Sequence, residues 1–355
     1  MNPVRVIVLG CGNMGSSHAR AYASLPGYLL TGLVDRNEGR AQHLAAELGN
    51  IRVFGTFEEA ITSTHPDAAS ICTYTETHAS LSLQAFEAGL HVFVEKPLAP
   101  SLAEAEEVIR KAAQARKKLV VGYILRQHPV WRRFIEEARR LGKPLVMRMN
   151  LNQQSSGEEW AVHKKLMQSM SPIVDCGVHY VDVMCQMTGS RPVRVQAVGA
   201  RLSSEISPSM YNYGHLQLVF EDGSVGWYEA GWGPMMSETA YFVKDVIGPN
   251  GSVSIGGPGG TTIGGSAETE SHTKTGSLIC HDALTMSTRR VDCSDEPTHQ
   301  ELCKGEQAFF LDAITKDLDL TTHMADALMS LRIVLAADQS VRTGNVVYLS
   351  TREDT

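Results

Sequence analysis

Apolar positions in the first third of the chain come in short, unbroken runs. "VRVIVLG" (4–10), "LLTGLVD" (29–35), "IRVF", "AASICT", "HVFVE" and "LVVGY" follow one another at regular intervals. Runs without polar alternation are expected of strands buried on both faces of a parallel sheet. The segments between them carry helix punctuation. A helix is expected from about Asn13; "NEGRAQHLAAELG" has Asn37 at its N-cap and Gly49 past its end; Ser101 with Glu104 three residues on reads as a capping box. Strand and helix alternating at this rhythm predict a doubly wound parallel sheet, a Rossmann-type α/β domain over residues 1–123.

Beyond Tyr123 the pattern changes. "LVFEDGSVGWYEAGW" (218–232) is two strand-like runs joined through Asp222-Gly223, and "YFVKDVIGPNGSVSI" repeats the arrangement around Asn250-Gly251. Residues 124–355 are therefore expected to form an α+β domain on an open, mainly antiparallel sheet, for substrate binding and oligomerisation. The Gly-, Ser- and Thr-rich stretch 254–277 reads as an exposed loop or edge hairpins. Helical periodicity returns over 301–341 and stops at Gly344, and helices near 301–343 are expected to pack back on the first domain. An open sheet with an exposed face needs covering, so a homodimer or homotetramer through the C-terminal sheet is expected.

Composition narrows the function classes. The chain has 355 residues, 43% hydrophobic and 20% charged, with a net charge of −7, which argues against a large nucleic-acid footprint. No apolar run reaches bilayer length, and the N-terminus enters a strand at once, without a secretory cleavage pattern. Seven scattered cysteines form no CxxC pair and read as reduced thiols of a cytoplasmic protein. His299 and Cys303 stand four apart without a second pair, so no metal site is expected.

The first strand runs into Gly10-Cys11-Gly12-Asn13-Met14-Gly15, a GxGxxG where a dinucleotide fold requires one. Gly10 permits the tight turn, Gly12 lets the backbone approach a pyrophosphate, and Gly15 lets helix and strand pack closely. Asp35 ends the second strand, where its carboxylate suits a ribose 2′-hydroxyl and opposes a 2′-phosphate. NAD is thereby favoured over NADP, although Arg36 beside it could stack on adenine or meet a phosphate.

Two further groupings carry chemistry. "HVFVEKPLAP" ends a buried strand on Glu95, Lys96 and Pro97, at the sheet edge where ligands lie in open α/β folds. Lys96 there can reach a substrate hydroxyl, with Glu95 to orient it; a surface ion pair of little consequence is an equal reading of these residues alone. "SPIVDCGVHYVDVMCQMTG" reads as a helix capped by Ser171, opened by Pro172 and ended by Gly189. It carries Asp175, His179 and Asp182 on one face, where a carboxylate one turn from an imidazole suits it to proton transfer. Taken alone, an ordinary surface Asp–His pair is the better reading; the joint occurrence with Lys96 shifts the balance. Trp160, His163 and Lys164 precede this helix and stand as either substrate-lining or packing residues.

Together, GCGNMG with Asp35, "CTYTETHASLSLQAFEAGLHVFVEKPLA" (72–99), "VGYILRQHP" (121–129) and "DCGVHYVD" (175–182) resemble the glucose–fructose oxidoreductase, inositol dehydrogenase and MocA family over nearly the whole chain. The resemblance implies that Lys96, Asp175 and His179 line the reaction site. It implies cofactor contacts from Thr73, Thr75, His78 and Glu95, and a place for Arg126 near the nicotinamide or substrate. It implies an NAD(P)-dependent dehydrogenase for a secondary alcohol of a cyclic polyol or sugar. In that reading His179 takes the hydroxyl proton, Lys96 stabilises the alkoxide and Asp175 orients His179. An NAD-dependent glycosidase working by transient oxidation, or a non-catalytic NAD-binding sensor, are the rival readings. Tyr74 departs from the proline many members carry, and "MQSMSPIVD" lacks their Gly-rich lead-in to the helix.

Overall fold

The apolar runs of the first third become six parallel strands: β1 (Val4–Leu9), β2 (Tyr28–Val34), β3 (Val53–Phe54), β4 (Ala68–Ile71), β5 (His91–Glu95) and β6 (Leu119–Gly122). Their order is β3-β2-β1-β4-β5-β6, so the chain reverses direction across the sheet at β1 and β4. The computed structural model that shows this describes residues 2–237, 240, 242–256, 275–293 and 295–349. The chain falls into two compact units, Met1–Gln127 with Pro297–Leu328 and His128–Glu296 with Met329–Thr355.

In the first unit the connecting helices are α1 (Asn13–Ser24), α2 (Glu38–Glu47), α3 (Phe57–Thr64), α4 (His78–Glu87) and α5 (Leu102–Ala115). Asn37 caps α2 by accepting from the Arg40 amide at 3.1 Å, and Gly49 follows the helix at φ +90°. Ser101 accepts from the Glu104 amide at the start of α5. Strand β3 is two residues long, shorter than the run "IRVF" suggests, because it pairs only with the end of β2 at the sheet's edge.

The second unit holds α6 (Pro129–Arg139), β7 (Val146–Gln153), α7 (Gly157–Leu166) and α8 (Pro172–Thr188). Strands β8 (Pro192–Ala200), β9 (Tyr213–Phe220), β10 (Val225–Trp232), β11 (Lys244–Gly248), β12 (Gly251–Gly256), β13 (Ser277–Asp282), β14 (Ser287–Asp292) and β15 (Val347–Tyr348) complete it. The sheet order is β14-β13-β12-β11-β7-β10-β9-β8-β15. Both expected hairpins are present: β9 and β10 turn at Gly223 (φ +80°), and β11 and β12 are antiparallel neighbours. One pair departs from the antiparallel expectation, since β7 and β10 run parallel over eight residues. Alternation follows the pleat: Gly226, Tyr228 and Ala230 of β10 are buried, while Val225 is exposed and Trp227 and Glu229 are half-buried. The stretch read as an exposed loop, 254–277, lies for the most part outside the described residues.

Helices α9 (His299–Thr315) and α10 (Thr321–Thr343) follow. α9 opens with a capping box of Thr298 and Glu301 and packs on α1, placing Phe310 in one core with Tyr22 and Phe93. Tyr28 donates its hydroxyl to the Gln307 carbonyl at 2.9 Å, and Lys118 its ammonium to the Leu318 carbonyl at 2.8 Å. No described helix is long and apolar enough to cross a membrane.

Candidate functional site

The glycine loop links β1 to α1. Gly10 sits at φ +88°, and a Cβ there would come within 2.4 Å of the Cys72 carbonyl oxygen. A Cβ on Gly15 would lie 1.8 Å from the Gly10 carbonyl oxygen, so only glycine allows helix and turn to meet. Gly12 is different: nothing lies within 4 Å of where its Cβ would be. Gly12 is also the N-cap of α1, without a side-chain cap, and the helix has no acidic residue in its first turn, which includes Asn13 and Met14. Open space over uncapped amides and a positive dipole end fits a pyrophosphate.

Asp35 is fixed beside this loop. Its Oδ2 accepts the Cys11 amide at 2.6 Å and its Oδ1 the Asn37 amide at 2.7 Å, leaving lone pairs on both oxygens for ribose hydroxyls. Arg36, next to it, is exposed. Burial, aided by the Asp35 charge, pushes the Cys11 thiol up to about 12, so it stays protonated. The residues present fit a dinucleotide.

The loop after β4 is built around His78. This buried ring has Nδ1 2.7 Å from the Pro97 carbonyl and Nε2 3.1 Å from the Thr73 carbonyl, and burial lowers its pKa. His78 thus ties together the two segments that carry Thr73 and Lys96. Thr75 is buried, while Thr73 and Tyr74 remain half-exposed. Glu95 is buried at the end of β5, and Lys96 is half-exposed with a cis peptide bond to Pro97. Arg126 is held by Asp326 at 2.9 Å and lies over the Tyr123 ring at 5.3 Å. His323 beside it accepts the Val121 amide at 3.0 Å, and burial followed by the Arg126 charge lowers its pKa to about 3.

In the second unit, α8 forms as the punctuation predicted: Ser171 accepts the Val174 amide at 3.3 Å, and Gly189 ends the helix at φ +58°. Asp175 and His179 are half-exposed on one face, whereas Asp182 is buried and accepts from Gln186 at 2.8 Å. Around Asp175 stand residues that no local pattern marked. The Cys176 thiol lies 3.4 Å from Asp175 Oδ2, and the Trp232 indole donates to Gln153 Oε1 at 2.7 Å. His163 stacks on Trp232 at 4.5 Å with its Nδ1 2.8 Å from Ser155 Oγ. Burial holds His163 down to about 4 even though the Asp175 charge acts in the opposite sense. Trp160 and Lys164 both bond Glu205, at 3.2 and 2.6 Å, which fastens α7 to the loop after β8.

Behind Glu95 lies a buried polar cluster of which the sequence marked only Cys303, with His299: His18 of α1 with Cys303, Glu306 and Gln307 of α9. Cys303 Sγ is 3.4 Å from His299 Nε2, and one ligand-type atom each from His18, Cys303 and Glu306 fall within 4.8 Å of one another. Burial pushes the Cys303 thiol and the Glu306 carboxyl up, the latter aided by the Glu95 charge. All seven cysteines are free.

The family model described as "Oxidoreductase family, NAD-binding Rossmann fold" matches residues 4–123, and that for the "GFO/IDH/MocA C-terminal domain" matches residues 132–254. The chain is 28% identical to scyllo-inositol 2-dehydrogenase (NAD(+)) of Bacillus subtilis (strain 168), across 98% of this chain and 97% of that protein. It is 33% identical to UDP-N-acetylglucosamine 3-dehydrogenase of Acidithiobacillus ferrooxidans, across 55% of this chain and 58% of that one. In fold it is similar to an oxidoreductase domain protein from Kribbella flavida, with a TM-score of 0.80, 20% identity, and 99% and 100% of the two chains covered.

Proposed function

The chain belongs to the GFO/IDH/MocA family of NAD-binding oxidoreductases, and on that premise we propose that it is an NAD-dependent dehydrogenase of a secondary alcohol on a cyclic polyol or sugar. The observation that carries this reading is the likeness to an inositol dehydrogenase along the length of both chains. The glycine loop, the uncapped first turn of α1 and Asp35 would hold NAD, which supplies the hydride acceptor when bound. His179 takes the proton of the reacting hydroxyl, and Asp175, one turn before it, orients the imidazole. The Lys96 ammonium stabilises the developing alkoxide.

The first experiment is NADH formation, followed in the near ultraviolet, across inositols, aldoses and nucleotide sugars. Lys96→Met and His179→Asn should each lower kcat by about 10²–10⁴-fold. NAD binding without turnover on any polyol or sugar would refute the reading.

Seven free thiols support a cytoplasmic setting. The outer face of the large sheet supports self-association. Ile247, Val146, Val225 and Val219 stand in register across four strands, and the first three are 40%, 40% and 39% exposed. Light scattering on the purified protein tests for the dimer or tetramer; a monomer would refute it.

A further inference from the structure

Glu95 and the groups behind it are too polar for their place. Glu95 is 6% exposed, His18 and Gln307 are 0%, and Glu306 is 3%, beside a hydrophobic cluster that includes Phe93, Val120 and Phe310. Apolar side chains of similar volume would ordinarily serve stability as well or better, so a buried ionic cluster calls for another explanation.

The hydrogen bonds supply one. Glu95 Oε1 lies 2.7 Å from His18 Nε2, and Glu95 Oε2 accepts the amide of Lys96 at 3.2 Å. The other nitrogen of His18 is 2.8 Å from Gln307 Nε2, which makes Nδ1 the acceptor and leaves Nε2–H to donate to Glu95. Gly122, on the neighbouring strand β6, leaves room for this carboxylate: a Cβ there would stand 3.3 Å from Glu95 Oε1. Among the titratable groups that feel the Glu95 charge are Cys72 after β4, His78 on α4, and Cys303 and Glu306 on α9. Both thiols and Glu306 are pushed up, and His78 is pushed toward its neutral form. Glu95 accepts two donors while burial pushes Glu306 toward its neutral form, so of this pair of carboxyls Glu95 is the better seat for a negative charge. His78 also feels the Lys96 charge, so carboxylate and ammonium lie within electrostatic reach of one ring.

We propose that His18 is a positioning residue for Lys96: it fixes the buried Glu95 side chain, whose Oε2 holds the Lys96 amide, and the Glu95 charge so placed favours the ammonium form of the lysine. This rests on the reading of Lys96 as the group that stabilises the alkoxide.

The test follows Lys96 directly. Lysines of the full-length, cofactor-free protein are reductively ¹³C-methylated, and the Lys96 resonance, identified by its loss in Lys96→Met, is titrated by NMR. Glu95→Gln and His18→Leu should each move the Lys96 midpoint to lower pH by about one unit. His18→Gln, whose amide can still donate to Glu95, should recover part of that shift. Glu306→Gln, isosteric with the neutral acid, should leave the midpoint in place. A midpoint unmoved in Glu95→Gln overturns the proposal even if His18→Leu fails to fold, and a large shift in Glu306→Gln overturns the assignment of the charge to Glu95. The two readings fail separately. Full turnover by Lys96→Met would remove the catalytic role of the lysine, whereas an inactive Lys96→Met with an unmoved midpoint in Glu95→Gln would remove only the role of His18.

Discussion

Two glycines three residues apart should fail in opposite ways. At Gly12 the backbone is extended (φ −72°, ψ −165°), a conformation alanine adopts, and a methyl group would meet nothing within 4 Å. Gly12→Ala therefore costs only the poorer N-cap preference of alanine, about 0.5–1 kcal/mol. The same methyl fills the space through which a pyrophosphate must reach the α1 amides, and NAD affinity should fall about 100-fold, roughly 2.7 kcal/mol. At Gly15 the methyl would lie 1.8 Å from the Gly10 carbonyl oxygen and 2.8 Å from its carbon. Both are backbone atoms, so no rotamer change relieves the clash, and at least about 3 kcal/mol of stability should be lost. At about 2–4 °C per kcal/mol, Gly15→Ala should lower Tm by roughly 6–12 °C, while Gly12→Ala stays within a few degrees of the parent. Thermal melts and calorimetric NAD titrations on both variants measure this. Gly12→Ala binding NAD with the parent's Kd would refute the reasoning, because the open space over α1 would then not be the phosphate site.

Other outcomes follow from buried titratable groups. His163 is neutral in the fold with its pKa lowered from 6.5 to about 4, so the unfolded chain takes up a proton first on acidification. Stability is intact above pH 6.5 and should fall by roughly 3 kcal/mol toward pH 4; His163→Gln should flatten the Tm–pH curve there, and an unchanged slope would refute this. Burial lowers Lys244 from 10.5 to about 7, although its Nζ donates to the Asn150 carbonyl at 2.7 Å and sits 4.2 Å from the Phe242 ring. The unfolded chain keeps the proton between those values, so Lys244→Met should stabilise the protein by about 1–3 kcal/mol at pH 6 and less at pH 10. A Tm difference independent of pH would count against it. The Tyr211 hydroxyl meets Asp338 at 2.6 Å and Ser171, the cap of α8, at 2.8 Å; Tyr211→Phe should cost about 1–3 kcal/mol in denaturant unfolding.

Local chemistry made much of the fold legible. Ser171 and Gly189 bracket α8, Asn37 and Gly49 bracket α2, and Gly223 marks its hairpin, because caps and turns depend on residues a few positions apart. Non-local pairing was not legible. Nothing in "VMRMNLNQ" indicates that β7 would lie parallel to β10, some eighty residues away. The groupings around Glu95 and Asp175 were hidden for the same reason. His18 and Gln307 are single polar positions in otherwise ordinary helices, and they acquire a partner only because α9 packs on α1. Trp232 and Gln153 likewise look like core residues until neighbouring strands set them side by side.

The nine-stranded sheet ends in strands of opposite design. β15 is two residues long and covers only Arg194 and Val195 of β8, too short to template a further chain. β14 is longer and is the last strand of the sheet among the described residues; it presents Arg289, Arg290 and Asp292 to solvent, and Arg289 is anchored to Glu137 at 2.7 Å. Charge on such an edge makes an incoming strand bury guanidinium groups, which guards against aggregation at the concentrations a metabolic enzyme reaches. Replacing that arginine pair with valines would turn a solubility feature into a nucleus for amyloid-like stacking without changing any residue of the candidate site.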